Sequence, residues 1–89
     1  MSSAKSILRL TALEVAGPHS LLVSFNNGVT KQVNLRPLLW GPMFEPLLDP
    51  AAFARVRLDP SFGVPSWPNG ADLAPEALLA LPDERDDAA

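Results

Sequence analysis

The chain has 89 residues, with ten acidic and seven basic side chains, ten prolines and no cysteine. This length allows one domain with a modest core, and the composition excludes disulfides and thiolate metal sites. The formal charge of −3 resides in Asp83-Glu84-Arg85-Asp86-Asp87, leaving residues 1–82 neutral with six acids and six bases, without the basic stripe that nucleic-acid binding requires.

Residues 1–6 are expected to form a disordered terminus, 7–81 a single domain, and 82–89 an acidic, flexible tail. Lys5 precedes an apolar stretch from Ile7, but Arg9 and Glu14 interrupt it and no small-residue cleavage pattern follows. No apolar run approaches the roughly 20 residues that span a bilayer. The expected setting is therefore cytoplasmic, with no membrane association.

Leu8 and Leu10 share one parity, whereas Leu13 and Val15 share the other. A strand can keep both pairs on one face only by inserting a residue, which predicts a β-bulge near Thr11–Ala12. A helix is the competing reading, and the Gly17-Pro18 ending favours the strand. His19 in the following turn is the one histidine. It has no base, acid or metal ligand near it in sequence, so no catalytic or metal role is expected.

Ser20–Phe25 and Val29–Leu35 read as a hairpin around Asn26-Asn27-Gly28. A two-residue loop would set Phe25 opposite Thr30, whereas a three-residue loop pairs Phe25 with Val29 and Leu21 with Val33. Opposed residues share a face, so the second register gathers the apolar side chains, with Gly28 left-handed. Lys31 is then the one charge on the apolar face, opposite Val23, and is expected to snorkel to an edge.

Between Arg36 and Pro50 four prolines forbid a long helix or a central strand. The segment should be a compact run of turns and short helical pieces, packed through Leu38, Leu39, Phe44, Leu47 and Leu48. Asp49-Pro50 starts a short helix as N-cap and first helical residue, anchored by Phe53. Arg55–Asp59 alternates with Val56 and Leu58 inward, and Pro60–Gly63 turns the chain into a last strand, Val64–Trp67. Pro65 marks an edge or a bulge in it. After the Asn69-Gly70 turn, a helix is predicted from Pro75 to about Leu81, where Pro82 ends it.

Four ordered motifs now stand out: Phe25-Asn-Asn-Gly28, Leu35-Arg-Pro-Leu-Leu39, Gly41-Pro-Met-Phe-Glu-Pro-Leu47 and Trp67-Pro-Asn-Gly-Ala-Asp-Leu73. Together they resemble the small bacterial domain-of-unknown-function family 2442, over nearly everything from Ile7 to Leu81. The resemblance implies an α+β fold with a mainly antiparallel sheet, and no established activity. Some relatives look fused to a helix-turn-helix, and others lie beside small toxin-like genes, which implies an antitoxin-like or accessory role. These 89 residues carry no helix-turn-helix, so operator binding is not expected here. Two departures from the family pattern are Pro65, in place of a strand former, and Ala74, in place of an Asp or Ser cap.

The candidate surface residues each have a structural and a functional reading. Asp72 should make an Asx-type bond that compensates for Ala74, and Asn69 is a turn former. Trp40 and Trp67 are either core side chains or partner-binding anchors. Arg36, Arg55 and Arg57 either lie on a solvated face or form a small carboxylate or phosphate receptor. No catalytic pair, metal-ligand cluster or phosphate-binding loop is present in the pattern, so catalytic, cofactor and metal residues are all expected to be none.

These features predict an α+β domain with a small antiparallel sheet of about five strands: three strands, a turn and short-helix insert, two more strands and a short C-terminal helix. The function expected is a non-enzymatic protein-interaction or regulatory module, with a protein or a second copy as partner. The alternative is a small-ligand-binding or accessory-enzyme domain built on the Trp67–Asp72 turn.

Overall fold

The three-residue hairpin loop decides how the first half of the chain is laid out. In the computed structural model, which describes residues 7–85, Phe25 N donates to Val29 O at 2.8 Å and Gly28 N to Phe25 O at 3.0 Å. Gly28 has φ +92°, the left-handed region that glycine enters without a Cβ penalty. Strand β2 (Ser20–Phe25) therefore pairs with β3 (Thr30–Asn34) so that Leu21 faces Val33 and Val23 faces Lys31. Leu21, Val23, Phe25 and Val33 are all buried on one face.

Strand β1 (Leu10–Val15) adds antiparallel to the other side of β2. Its register shifts between Leu10 and Ala12, so Thr11 is the extra residue of the predicted bulge. The bulge brings Leu10 and Leu13 to the core face together, although Val15 at the strand end stays exposed. Asn26 fixes the segment before β1, accepting from Arg9 N and donating to Ile7 O.

The five expected strands are present, divided between two sheets. The three-stranded sheet has the order β1-β2-β3, and β4 (Arg57–Asp59) pairs with β5 (Val64–Ser66) in a separate antiparallel ribbon. β4 is shorter than expected because Arg55 belongs to the turn after helix α1 (Pro50–Phe53). Asp59 accepts from both Ser61 N and Phe62 N, which builds the turn between β4 and β5. Gly63 O then accepts from Leu10 N and ties the ribbon to β1.

The proline-rich insert forms 3-10 turns at Arg36–Leu38 and Glu45–Leu48 before α1. Asp49 caps α1 by accepting from Ala51 N at 3.0 Å, as its position before Pro50 predicts. Phe53 is fully buried, and burying such a side chain contributes about 1.5–3 kcal/mol. Its ring sits between His19 and Trp67, with centroids 5.9 and 5.8 Å away. Leu39 and Leu47 enter the core as expected, but Leu48 is exposed. The Leu48 carbonyl contacts His19 Nε2 at 2.7 Å, so this residue packs through its backbone.

Helix α2 (Pro75–Leu79) is two residues shorter than predicted and buries Pro75 and Leu78. Ala74 provides no side-chain cap. Lys31 Nζ donates to Leu79 O at 2.7 Å, so the one charge on the apolar face finishes the C-terminal end of this helix.

The expected solvated tail is revised for residues 83–85, which lie against β3. Asp83 accepts from Gln32 N, Glu84 from Gln32 Nε2, and Arg85 donates to Thr30 O. The expectations for residues 1–6 and 86–89 fall outside the described residues.

Candidate functional site

The two tryptophans have opposite fates, and this separation locates the site. Trp67 is 4% exposed, and its Nε1 donates to Phe53 O at 2.9 Å. That bond answers the one polar atom of the indole, so Trp67 is a core residue. Trp40 is 73% exposed.

Trp40 stands on a loop shaped by its neighbours. Gly41 has φ +88°, and its carbonyl accepts from Phe44 N and Glu45 N. The backbone thus reverses directly after the indole, and Pro42 and Met43 are carried round beside it. Leu38, Trp40, Gly41, Pro42, Met43, Phe44 and Leu73 line a surface groove of about 370 Å³. None of the seven is ionisable. Leu73 also borders a depression of about 400 Å³ with Phe62, Val64, Asp72 and Ala74, and Phe62 is itself exposed. Leu73 thus joins the Trp40 groove to a second depression, where the apolar Phe62 and Val64 are accompanied by the exposed carboxylate of Asp72.

The Trp67–Leu73 turn holds this surface in place. Trp67 N donates to Ala71 O, Gly70 N to Trp67 O, and Ala71 N to Asn69 Oδ1. This repeats the bonding of the Phe25–Val29 loop, where Val29 N donates to Asn27 Oδ1. Asn69 differs from Asn27 in one respect, since its Nδ2 also donates to Met43 O at 3.0 Å. Asn69 is thus a turn former, as expected, and also the tie between the turn and the groove loop.

Asp72 does not make the predicted Asx-type bond. Its side chain is exposed and forms no hydrogen bond among the described residues, so the weak cap at Ala74 goes uncompensated. The Asp72 backbone bridges to Ser66, and Leu73 N donates to Pro65 O at 3.3 Å. Pro65 does sit at an edge with its imide nitrogen turned from β4. That edge is closed by residues 72–73, so it is not the open edge that the sequence suggests.

The three arginines belong to different elements of the fold. Arg57 points outward from β4, and Arg36 begins the turn after β3. Arg55 lines a small cleft of about 140 Å³ with Pro46, Leu47, Ala52, Trp67, Pro68 and Asn69. Among the described residues no three His, Asp or Glu side chains gather into a metal-binding group. No helix among them is long and apolar enough to cross a membrane.

Over residues 10–82 the chain matches the family described as a protein of unknown function, DUF2442. The chain belongs to this family. The match covers β1 through α2, so both the groove and the turn that ties it lie inside the DUF2442 domain. Searches of curated proteins and of solved structures found no match.

Met43, Pro42 and Leu73 are groove residues that the sequence reading missed, and Leu38 and Phe44 were expected only as packing. The available signal was an excess of large apolar residues in a segment too broken by proline to bury them all. Without a helical or strand period, no face could be assigned to them.

Proposed function

We propose that this DUF2442 domain is a non-enzymatic protein-interaction module whose docking surface is the Trp40 groove. One observation carries the reading: a 73% exposed indole stands against a groove with no ionisable lining residue. Exposed tryptophans beside apolar pockets are typical of residues that dominate binding energy at interfaces. Such a lining offers no proton donor, nucleophile or anion receptor, and it suits the aliphatic or aromatic side chains of a protein partner. The finer reading, an antitoxin-like component of a two-gene system, rests on the family resemblance. A cytoplasmic setting fits a chain without cysteine.

The alternative small-ligand or accessory-enzyme domain would use the Trp67–Asp72 turn. The cleft beside Trp67 is about 140 Å³, below the roughly 300–1,000 Å³ usual for small-molecule sites, and the larger depression of about 400 Å³ on the Asp72 side includes neither Trp67 nor Asn69 in its lining. The turn's tryptophan is already committed to Phe53 O. The interaction reading is therefore preferred.

The test is affinity capture from the native host with the parent chain and with Trp40→Ala, read by mass spectrometry. A stoichiometric partner lost with Trp40→Ala supports the proposal. A partner retained with both chains, or none with either, overturns the groove assignment. Capture of the chain itself would make a second copy the occupant.

A further inference from the structure

The outer edge of β3 has hydrogen-bonding groups that no strand among the described residues uses. Because Phe25 N donates to Val29 O and Leu35 N to His19 O, alternation makes Val23–Lys31 and Leu21–Val33 the hydrogen-bonded pairs between them in the β2–β3 ladder. The N–H and C=O groups of Thr30, Gln32 and Asn34 therefore turn away from β2. Rows of this kind are templates for a further strand.

Side chains of the C-terminal segment occupy part of this row. Asp83 Oδ1 accepts from Gln32 N at 3.3 Å, and Arg85 donates to Thr30 O at 3.0 Å. Glu84 holds the Gln32 side chain at 2.6 Å, and Arg85 is bound to Asp83 at 2.8 Å. An acceptor is presented to the strand's N–H and a donor to its C=O, which is what a neighbouring strand supplies. The closure differs in kind from that beside Pro65, where backbone groups of the folded domain do the work. It rests on charged side chains near the chain end, which salt screens and which exchange readily with water.

We propose that the outer edge of β3 is a strand-pairing surface for a second copy of this chain, held closed by the Asp83–Arg85 clamp. The sequence of β3 favours a copy of itself. Antiparallel pairing about a two-fold axis at Gln32 sets Gln32 against the partner's Gln32 and Thr30 against the partner's Asn34. Lys31 then meets the partner's Val33, so no like charges are directly opposed. The result is one continuous six-stranded sheet in place of two three-stranded ones. This surface is separate from the Trp40 groove, and either assignment can fail alone.

The test is sedimentation velocity on three forms of the full chain, with amide exchange at Gln32 followed by NMR. The forms are the parent, the triple variant Asp83→Ser, Glu84→Ser and Arg85→Ser, and that variant with Gln32→Lys added. The expected results are a monomeric parent and a triple variant that self-associates at least roughly tenfold more tightly. Gln32→Lys, which places two cations at the axis, should return the triple variant to monomer. The proposal is overturned if the triple variant stays monomeric, or if its dimer survives Gln32→Lys. A parent whose Gln32 amide exchanges as fast as an unprotected glutamine amide would also overturn it, since no clamp would then exist.

Discussion

Asn69 and Met43 are joined by a single hydrogen bond, from the Asn69 side-chain amide to the Met43 carbonyl, 26 residues apart in sequence and 3.0 Å long. Through it the Trp67–Ala71 turn supports the loop that carries Trp40. The twin loop at Asn27 has the same internal bonding and no such external bond, which provides an internal control.

Asn69→Asp keeps the acceptor for Ala71 N but sets a carboxylate oxygen against the Met43 carbonyl. The expected loss is about 1 kcal/mol, a fall in Tm of roughly 4–8 °C for a domain of this size, with partner binding weakened as well. Asn27→Asp keeps every bond its side chain makes and should change Tm little. Equal effects in thermal unfolding would show that the bond to Met43 contributes nothing.

The two tryptophans should separate stability from binding. Trp67→Ala empties a core site and should cost about 3–5 kcal/mol, a large part of the stability of so small a domain. Trp67→Phe should cost less than Trp67→Ala, because the phenyl ring leaves a smaller cavity and Phe53 O also accepts from Val56 N at 3.2 Å. Trp40→Ala should stay within about 0.5 kcal/mol of the parent while abolishing capture of the partner. Urea unfolding of the three variants checks the order.

Gly63 and Gly28 both have positive φ, at +66° and +92°, but their surroundings differ. Nothing lies within 4 Å of a Cβ built on Gly28, whereas one on Gly63 would fall 2.5 Å from Arg9 Cβ. Gly28→Ala should cost roughly 1–2 kcal/mol for the backbone alone. Gly63→Ala should add the roughly 1–3 kcal/mol typical of overpacking, since Leu10 N is bonded to the Gly63 carbonyl and the backbones cannot simply part. Chemical denaturation showing the reverse order would contradict this account.

The C-terminal clamp should resist acid. Side-chain hydrogen bonds from the Arg85 guanidinium hold the Asp83 carboxyl well below the usual carboxylate range. Because the folded value is lowered, the contact's contribution is complete above the unfolded value of about 3.9 and is lost as pH falls toward the folded one. The carboxyl group of Asp83, followed by the NMR shift of its carboxyl carbon, should therefore stay ionised at about pH 3.9, where exposed aspartates are half protonated. Arg85→Ala should move the titration toward the ordinary range, with the backbone bonds from residue 85 N and Gln32 N still holding it somewhat below. An Asp83 that titrates normally in the parent would remove the clamp from solution.

Much of this was legible in the sequence because it depends on local rules. The three-residue hairpin loop follows from where Phe25 and Val29 must lie, and the Thr11 bulge from a parity conflict between Leu8 and Val15. The Asp49 cap follows from the proline after it. Less could be read where a side chain answers something distant. Asn26 reaches Ile7 and Arg9, His19 reaches Leu48, and Lys31 reaches Leu79. No local pattern encodes those distances.

By itself the sequence determined an α+β chain of five short strands, the register of its best hairpin and the place of its turns. Side-chain alternation, proline and glycine act over a few residues and need no knowledge of the rest of the chain. Only the tertiary structure decided that the strands split into two sheets and that Trp67 is core while Trp40 faces outward. It also placed Asp83–Arg85 along β3. Both tryptophans are flanked by glycine or proline, and both are apolar enough to bury. Which one is covered depends on whether Phe53 and α1 pack above it, which is settled only when distant segments compete for the same limited core.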